Sequence, residues 1–214
     1  MRQRTITVYA AFAAIVLQMA SPAVAQVPPP PSDAMAAVTD WVMASRDNGG
    51  LPYMVIDKVA AEVFVFDGAG MLVGRSPVLV GSAMGDDSVP GVGDRELSNI
   101  APADRTTPAG RFVARFGPAV GHKNVLWVDF PSAVSLHPVI TSKKSEHRLE
   151  RLRSPTPEDN RITYGCINVP AVFYNEVVRP LLTDTNGIVY ILPEARPLNE
   201  VFRETRLQTE SAGL

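Results

Sequence analysis

The sequence predicts an α+β domain that is mainly β, set behind an export leader. Three observations predict it. Between residues 53 and 192, short apolar runs rich in Val, Ile, Phe and Tyr recur, separated by tight turns containing Gly, Pro and Asp. Only two segments place apolar residues at helical spacing. A chain of 214 residues is long enough for one domain with a sizeable core, and two large domains would not fit comfortably.

In chain order, Arg2 and Arg4 form a positive start, Ile6 to Ala20 is an apolar run, and Ala23-Val24-Ala25 is a small-x-small cleavage site. Residues 1–25 therefore read as a signal peptide, with the mature chain starting at Gln26. The rival is an uncleaved anchor, but the apolar run is short of the roughly 20 residues that a spanning helix needs. The expectation is an exported, periplasmic product, associated with the cell wall and without stable membrane insertion.

Residues 26–50 form a proline-rich linker and an N-terminal helix. Ser32 is its N-cap candidate, and apolar Met35, Ala36, Val38, Val42 and Met43 recur at near-helical spacing in the segment from Asp33 to Ser45. Residues 51–194 form the folded body. Its predicted strands are Tyr53 to Asp57, Glu62 to Phe66, Met71 to Gly74, Pro77 to Val80, Phe112 to Phe116, Val125 to Phe130, a strand ending at His137, and Ile188 to Leu192. Gly81 to Ala109 is read as irregular, and loops of that length in a compact domain are functional or disordered. Ala171 to Leu182 is the second helix, and residues 195–214 are a tail without a strong pattern.

Composition excludes some partners. The net charge is −2 with acids and bases interspersed, so there is no concentrated basic face for nucleic acid. Asp86, Asp87 and Asp94 lack the alternating ligand spacing and terminal Glu of a calcium loop, so no metal and no cofactor is expected. An exported chain with one cysteine forms no internal disulfide and carries an odd thiol. That thiol is either a nucleophile, a small buried hydrophobe, or a link to another chain.

The lone cysteine stands in Arg161-Ile162-Thr163-Tyr164-Gly165-Cys166-Ile167-Asn168-Val169-Pro170. Gly165 permits a sharp turn that projects the thiol while nearby N–H groups point the same way. A cysteine attacks as its thiolate and so needs a base or a cationic neighbour. Of the three histidines, His122 lies in a Gly-rich turn and His147 in a charged run. His137 ends a strand before Pro138 and is the preferred base.

Thr107-Pro108-Ala109-Gly110-Arg111-Phe112, then a strand ending Leu136-His137, then Thr163-Tyr164-Gly165-Cys166-Ile167-Asn168, resembles the catalytic domain of the L,D-transpeptidases, the YkuD-like family. The resemblance runs from about Tyr53 to Pro193. It implies curved mixed β-sheets packed as a sandwich with peripheral helices, and cysteine-dependent acyl transfer on peptidoglycan stem peptides that releases D-Ala. It makes Cys166, His137 and Thr163 catalytic and gives Tyr164, Gly165 and Asn168 the turn and oxyanion roles. The family has His where Tyr164 stands, which removes one imidazole.

His147 fits the family spacing to Thr163 better than His137, whereas His137 fits its strand-end setting. Arg161, Arg151 and Arg153 are candidates to hold stem carboxylates. The acceptor is a stem amine, a protein amine, or water, the last giving an L,D-carboxypeptidase. A wall-binding module on a degenerate scaffold is the non-enzymatic alternative. A papain-like protease has the opposite order of Cys and His.

Overall fold

The computed structural model describes residues 30–119 and 122–202, with backbone only at 122 and 123. The expected leader, most of the expected linker, the imidazole of His122 and the end of the tail lie outside the described residues. Helix α1 covers Asp33–Ser45, the predicted span. Ser32 Oγ accepts from the Met35 N–H at 3.1 Å, satisfying one of the first-turn donors that a helix cannot pair internally.

Strands β1 (Tyr53–Asp57), β2 (Glu62–Phe66) and β3 (Leu72–Pro77) form an antiparallel meander. The next two residues with strand character form β4 (Val80–Gly81), which leaves that meander and pairs in parallel with β8 (Arg161–Thr163). A single strand over Pro77 to Val80 does not form. Pro77 has no N–H to extend the ladder with β2, so the buried run Val78–Val80 peels away.

The main sheet continues through β5 (Gly110–Ala119), β6 (His122–Asp129), β7 (Val134–Pro138), β9 (Ile167–Val169) and β10 (Gly187–Ile191). Its eight strands run in the order β3-β2-β1-β10-β5-β6-β7-β9. The sheet is mixed, because β1 pairs with β10 and β7 with β9 in parallel. Inner faces from both ends of the sheet share one core. Met54 and Val63 at one end belong to the same cluster as Leu126, Leu136 and Ile167 at the other, as a strongly curved sheet requires.

Short helices α3 (Ala171–Phe173) and α4 (Arg179–Leu182) are joined by a π-turn, Tyr174–Val178. Together they form the predicted helix over 171–182. Pro180 cannot donate to the carbonyl four residues back, consistent with the wider turn before it. Tyr174, Val178 and Leu182 drop from it into the core.

The opposite face of β1, β2 and β10 is covered by α1, so those strands are buried on both sides and read as continuous apolar runs. Val201 and Phe202 join this second cluster, with Phe202 6.0 Å from Trp41 between ring centres. The tail thus contributes to the core beyond residue 194. Two apolar residues in a polar segment are too few to register as periodicity. Among the described residues no helix is long and apolar enough to cross a membrane.

Candidate active site

Two parallel rungs build the site. Leu136 faces Ile167 and His137 faces Asn168 across β7 and β9. Leu136 and Ile167 are fully buried in the core, so strand alternation turns Ser135, His137 and Asn168 to the other face together. Cys166, one residue before β9, continues that face: its Sγ lies 3.6 Å from Ser135 Oγ. His137 lies two residues along β7 from Ser135, on the same face. The backbone of Asn168 is pinned from the far side, where its N–H and C=O pair with Leu79 at 2.9 and 2.8 Å.

The turn before the cysteine is set by threonines. Thr163 Oγ1 accepts the Gly165 N–H at 3.2 Å and donates to the Cys166 carbonyl at 2.6 Å. Thr163 therefore shapes the turn rather than touching the thiol. Thr107 Oγ1 donates to the Gly165 carbonyl at 2.8 Å while accepting the Gly81 N–H at 2.8 Å. Gly165 has φ 122°, and a Cβ there would sit 2.8 Å from the Thr106 carbonyl oxygen. Only glycine fits this position without moving backbone.

A chain of donors fixes the imidazole. Arg148 Nη1 donates to Asn168 Oδ1 at 2.7 Å, so the amide nitrogen of Asn168 faces His137. That Nδ2 donates to His137 Nε2 at 3.1 Å, and His137 Nδ1 donates to the Pro138 carbonyl at 2.8 Å. Burial pulls the His137 pKa below its ordinary value; the Pro138 carbonyl opposes this and the Arg148 cation adds to it. His137 is a neutral imidazole with its basic nitrogen on the shared face. Among the described residues the thiol's own hydrogen-bond partners are Ser135 Oγ and, at 3.5 Å, the Ala133 carbonyl.

The other expected site residues are placed differently. Arg161 turns inward, pairing with the buried Glu194 carboxylate, so its guanidinium is committed inside the protein. Arg151 donates to the carbonyls of Glu146 and Asp159, at 2.9 and 2.6 Å, and shapes its own loop. Arg153 is exposed. His147 is exposed at a left-handed turn with φ 50°, just before α2 (Arg148–Arg151). Sequence reading passed over Ser135 and Arg148. Ser135 was legible as the alternate residue to His137 on a strand, but Arg148 was one of several basic residues in a polar loop.

A buried ion cluster anchors the irregular segment beside the site. Lys58 Nζ reaches Asp86 Oδ1, the Gly85 carbonyl and the Thr107 carbonyl at 2.9, 2.6 and 2.9 Å. Burial tends to raise the Asp86 pKa, but N–H groups of Glu194, Arg196 and Ala195 together with Lys58 outweigh it and hold the value at about 2. Among the described residues no three His, Cys, Asp or Glu side chains converge as a metal site would require.

No family model matches the sequence, and no curated protein is similar to it in sequence. Solved structures similar to this chain include L,D-transpeptidase catalytic domains. The catalytic domain of the Enterococcus faecium enzyme is 14% identical over 65% of this chain and 95% of its own, with a TM-score of 0.39. The helical cell-shape-determining protein of Campylobacter jejuni is 13% identical over 77% of this chain and 58% of its own, at 0.45. A fused Zn-dependent amidase/peptidase/peptidoglycan-binding protein of Clostridium acetobutylicum is 16% identical over 78% and 65%, at 0.42. Apart from the first, the chain spans about half to two thirds of the structures it matches. Scores and identities this low say nothing about reaction or substrate.

Proposed function

We propose that this protein is an exported cysteine acyltransferase acting on peptidoglycan stem peptides, an L,D-transpeptidase. The observation that supports this reading is the pair of rungs that turns the oriented His137 imidazole and the partly exposed Cys166 thiol to one face, with the thiol on a turn that only glycine fits. The substrate class comes from the motif order in the sequence, and the exported location from the leader at residues 1–25.

In this reading the steps are as follows. The thiol swings about χ1 from the Ala133 carbonyl toward His137 Nε2, gives up its proton there, and attacks the carbonyl that links diaminopimelate to the terminal D-Ala. As the imidazole gains the proton, Asn168 must release Nε2. The Arg148 cation disfavours a lasting imidazolium, so the proton passes on to the departing D-Ala amine. The C–N bond breaks, leaving a thioester on Cys166. The Gly165 N–H is taken by Thr163, which leaves the N–H groups of Tyr164 and Cys166 for the oxyanion. An acceptor amine then attacks the thioester and its proton returns to the sulfur through His137.

The test is incubation of the mature chain with tetrapeptide stems, with and without acceptor amine, followed by mass analysis. The expected result is a covalent intermediate minus D-Ala on Cys166 and an acceptor-dependent product, both absent in Cys166→Ala. Turnover retained by folded Cys166→Ala would remove the nucleophile. Product identity separates transfer to a stem amine, to a protein amine and to water.

A further inference from the structure

Three consecutive residues clasp the turn that carries the thiol. The Thr106 carbonyl backs Gly165, Thr107 Oγ1 donates to the Gly165 carbonyl, and Arg105 Cζ lies 4.1 Å from the centre of the Tyr164 ring. Arg105 is half-buried, and its Nε donates to the Ile100 carbonyl at 3.1 Å, which fixes the guanidinium in place. Among the described residues neither Nη of Arg105 has an acceptor.

Among the described residues Arg46, Arg115, Arg153 and Arg179 likewise lack a carboxylate partner, but none of them lies over an aromatic ring as Arg105 does. Arg75, Arg111, Arg148 and Arg161 each pair with a carboxylate, and the acid beside Arg105, Asp104, is taken by Arg95 at 2.9 Å. A guanidinium stacked on a ring, anchored by a carbonyl, with its outer N–H groups unused, is preorganised for a planar bidentate acceptor. A carboxylate is the acceptor that matches both its charge and its fork.

We propose that Arg105, held on Tyr164, receives a carboxylate of the donor stem peptide while its scissile carbonyl sits at Cys166. The inference rests on the acyl-transfer reading above. The donor offers two such groups, the terminal carboxylate of D-Ala on the leaving side and the free carboxylate of diaminopimelate on the acyl side. It also gives Tyr164 a task, since a flat ring where the resembling family has histidine provides the platform. Arg105 is then a binding residue and Tyr164 a positioning residue.

Two thiol reagents of matched size that differ in one negative charge test it without needing turnover: iodoacetate, which carries a carboxylate, and neutral iodoacetamide. At Cys166 of the full mature chain, the ratio of iodoacetate to iodoacetamide rates is expected to exceed that of a free thiol by about tenfold, the worth of one charge-assisted pair. Arg105→Gln should lower the ratio by the same factor, and Arg105→Lys should retain part of it. Tyr164→Phe keeps the ring and the ratio, whereas Tyr164→Leu loses it.

On stems, amidation of the recognised carboxylate should lower wild-type kcat/KM by about tenfold or more and leave Arg105→Gln indifferent. Amides at D-Ala and at diaminopimelate, tried separately, identify which group is read. An equal reagent ratio in wild type and Arg105→Gln, or equal sensitivity of both to amidation, overturns the inference. A wild-type charge preference without any stem turnover supports the anion site and overturns the acyl-transfer reading instead.

Discussion

Asp86→Asn isolates the buried cluster that holds the irregular segment, and its cost can be worked out in advance. Asp86 titrates at about 2 in the folded protein against an ordinary value of 3.8. The charged form is therefore favoured by roughly 2–3 kcal/mol on folding, since one pKa unit is about 1.4 kcal/mol. Part of this cost is the Lys58 pairing, since in the variant the buried Lys58 keeps only Glu194, at 3.6 Å, as a carboxylate partner.

The sign is set by the depressed folded value. The contribution is complete above about pH 5 and is lost as pH falls toward 2. Urea unfolding of wild type and Asp86→Asn at a series of pH values measures it. With a slope of about 2 kcal/mol/M for a domain of this size, the midpoints should differ by about 1 M at pH 6. They should converge as pH approaches 2. A gap unchanged from pH 6 to 2.5 would show that the Asp86 charge does not stabilise the fold and would refute the reasoning.

Gly165→Ala places a Cβ 2.8 Å from the Thr106 carbonyl at φ 122°, so a loss of about 2–3 kcal/mol and a large drop in Cys166 alkylation are expected; full stability in denaturant would contradict the close approach. His137→Ala should slow acylation by about 100-fold or more, with His147→Ala close to wild type, because only His137 stands beside β9; burst kinetics decide, and a reversed order would make His147 the base. The rate should fall on acidification only below the ordinary histidine range, since a base must be neutral and the His137 pKa is lowered. Arg148→Met, which removes the cation and frees the Asn168 amide, should move that acid limb upward; an unmoved limb in the pH profile would show that Arg148 has no say in the imidazole's charge.

Much of the local structure was legible in the chain. Ser32 with the helically spaced apolar residues from Met35 to Met43 specified α1, and the runs 53–57 and 62–66 specified β1 and β2, because caps and side-chain periodicity are local properties, although Met43 turned out exposed. The odd thiol after a glycine marked the turn at 163–166 for the same reason. Long-range pairing is not written locally. Whether an arginine points outward or into a carboxylate depends on which segments meet, so the inward turn of Arg161 to Glu194, 33 residues away, was invisible.

The tertiary structure alone decided the register of β7 on β9, which set His137 against Asn168 and gave Arg148 a part in orienting the ring. It alone laid Arg105 over Tyr164, 59 residues apart in the sequence. Residue types and short spacings determine what chemistry a segment can offer. Sheet curvature and strand order determine which offers come within bonding distance, because hydrogen bonds and ion pairs act over only a few ångströms.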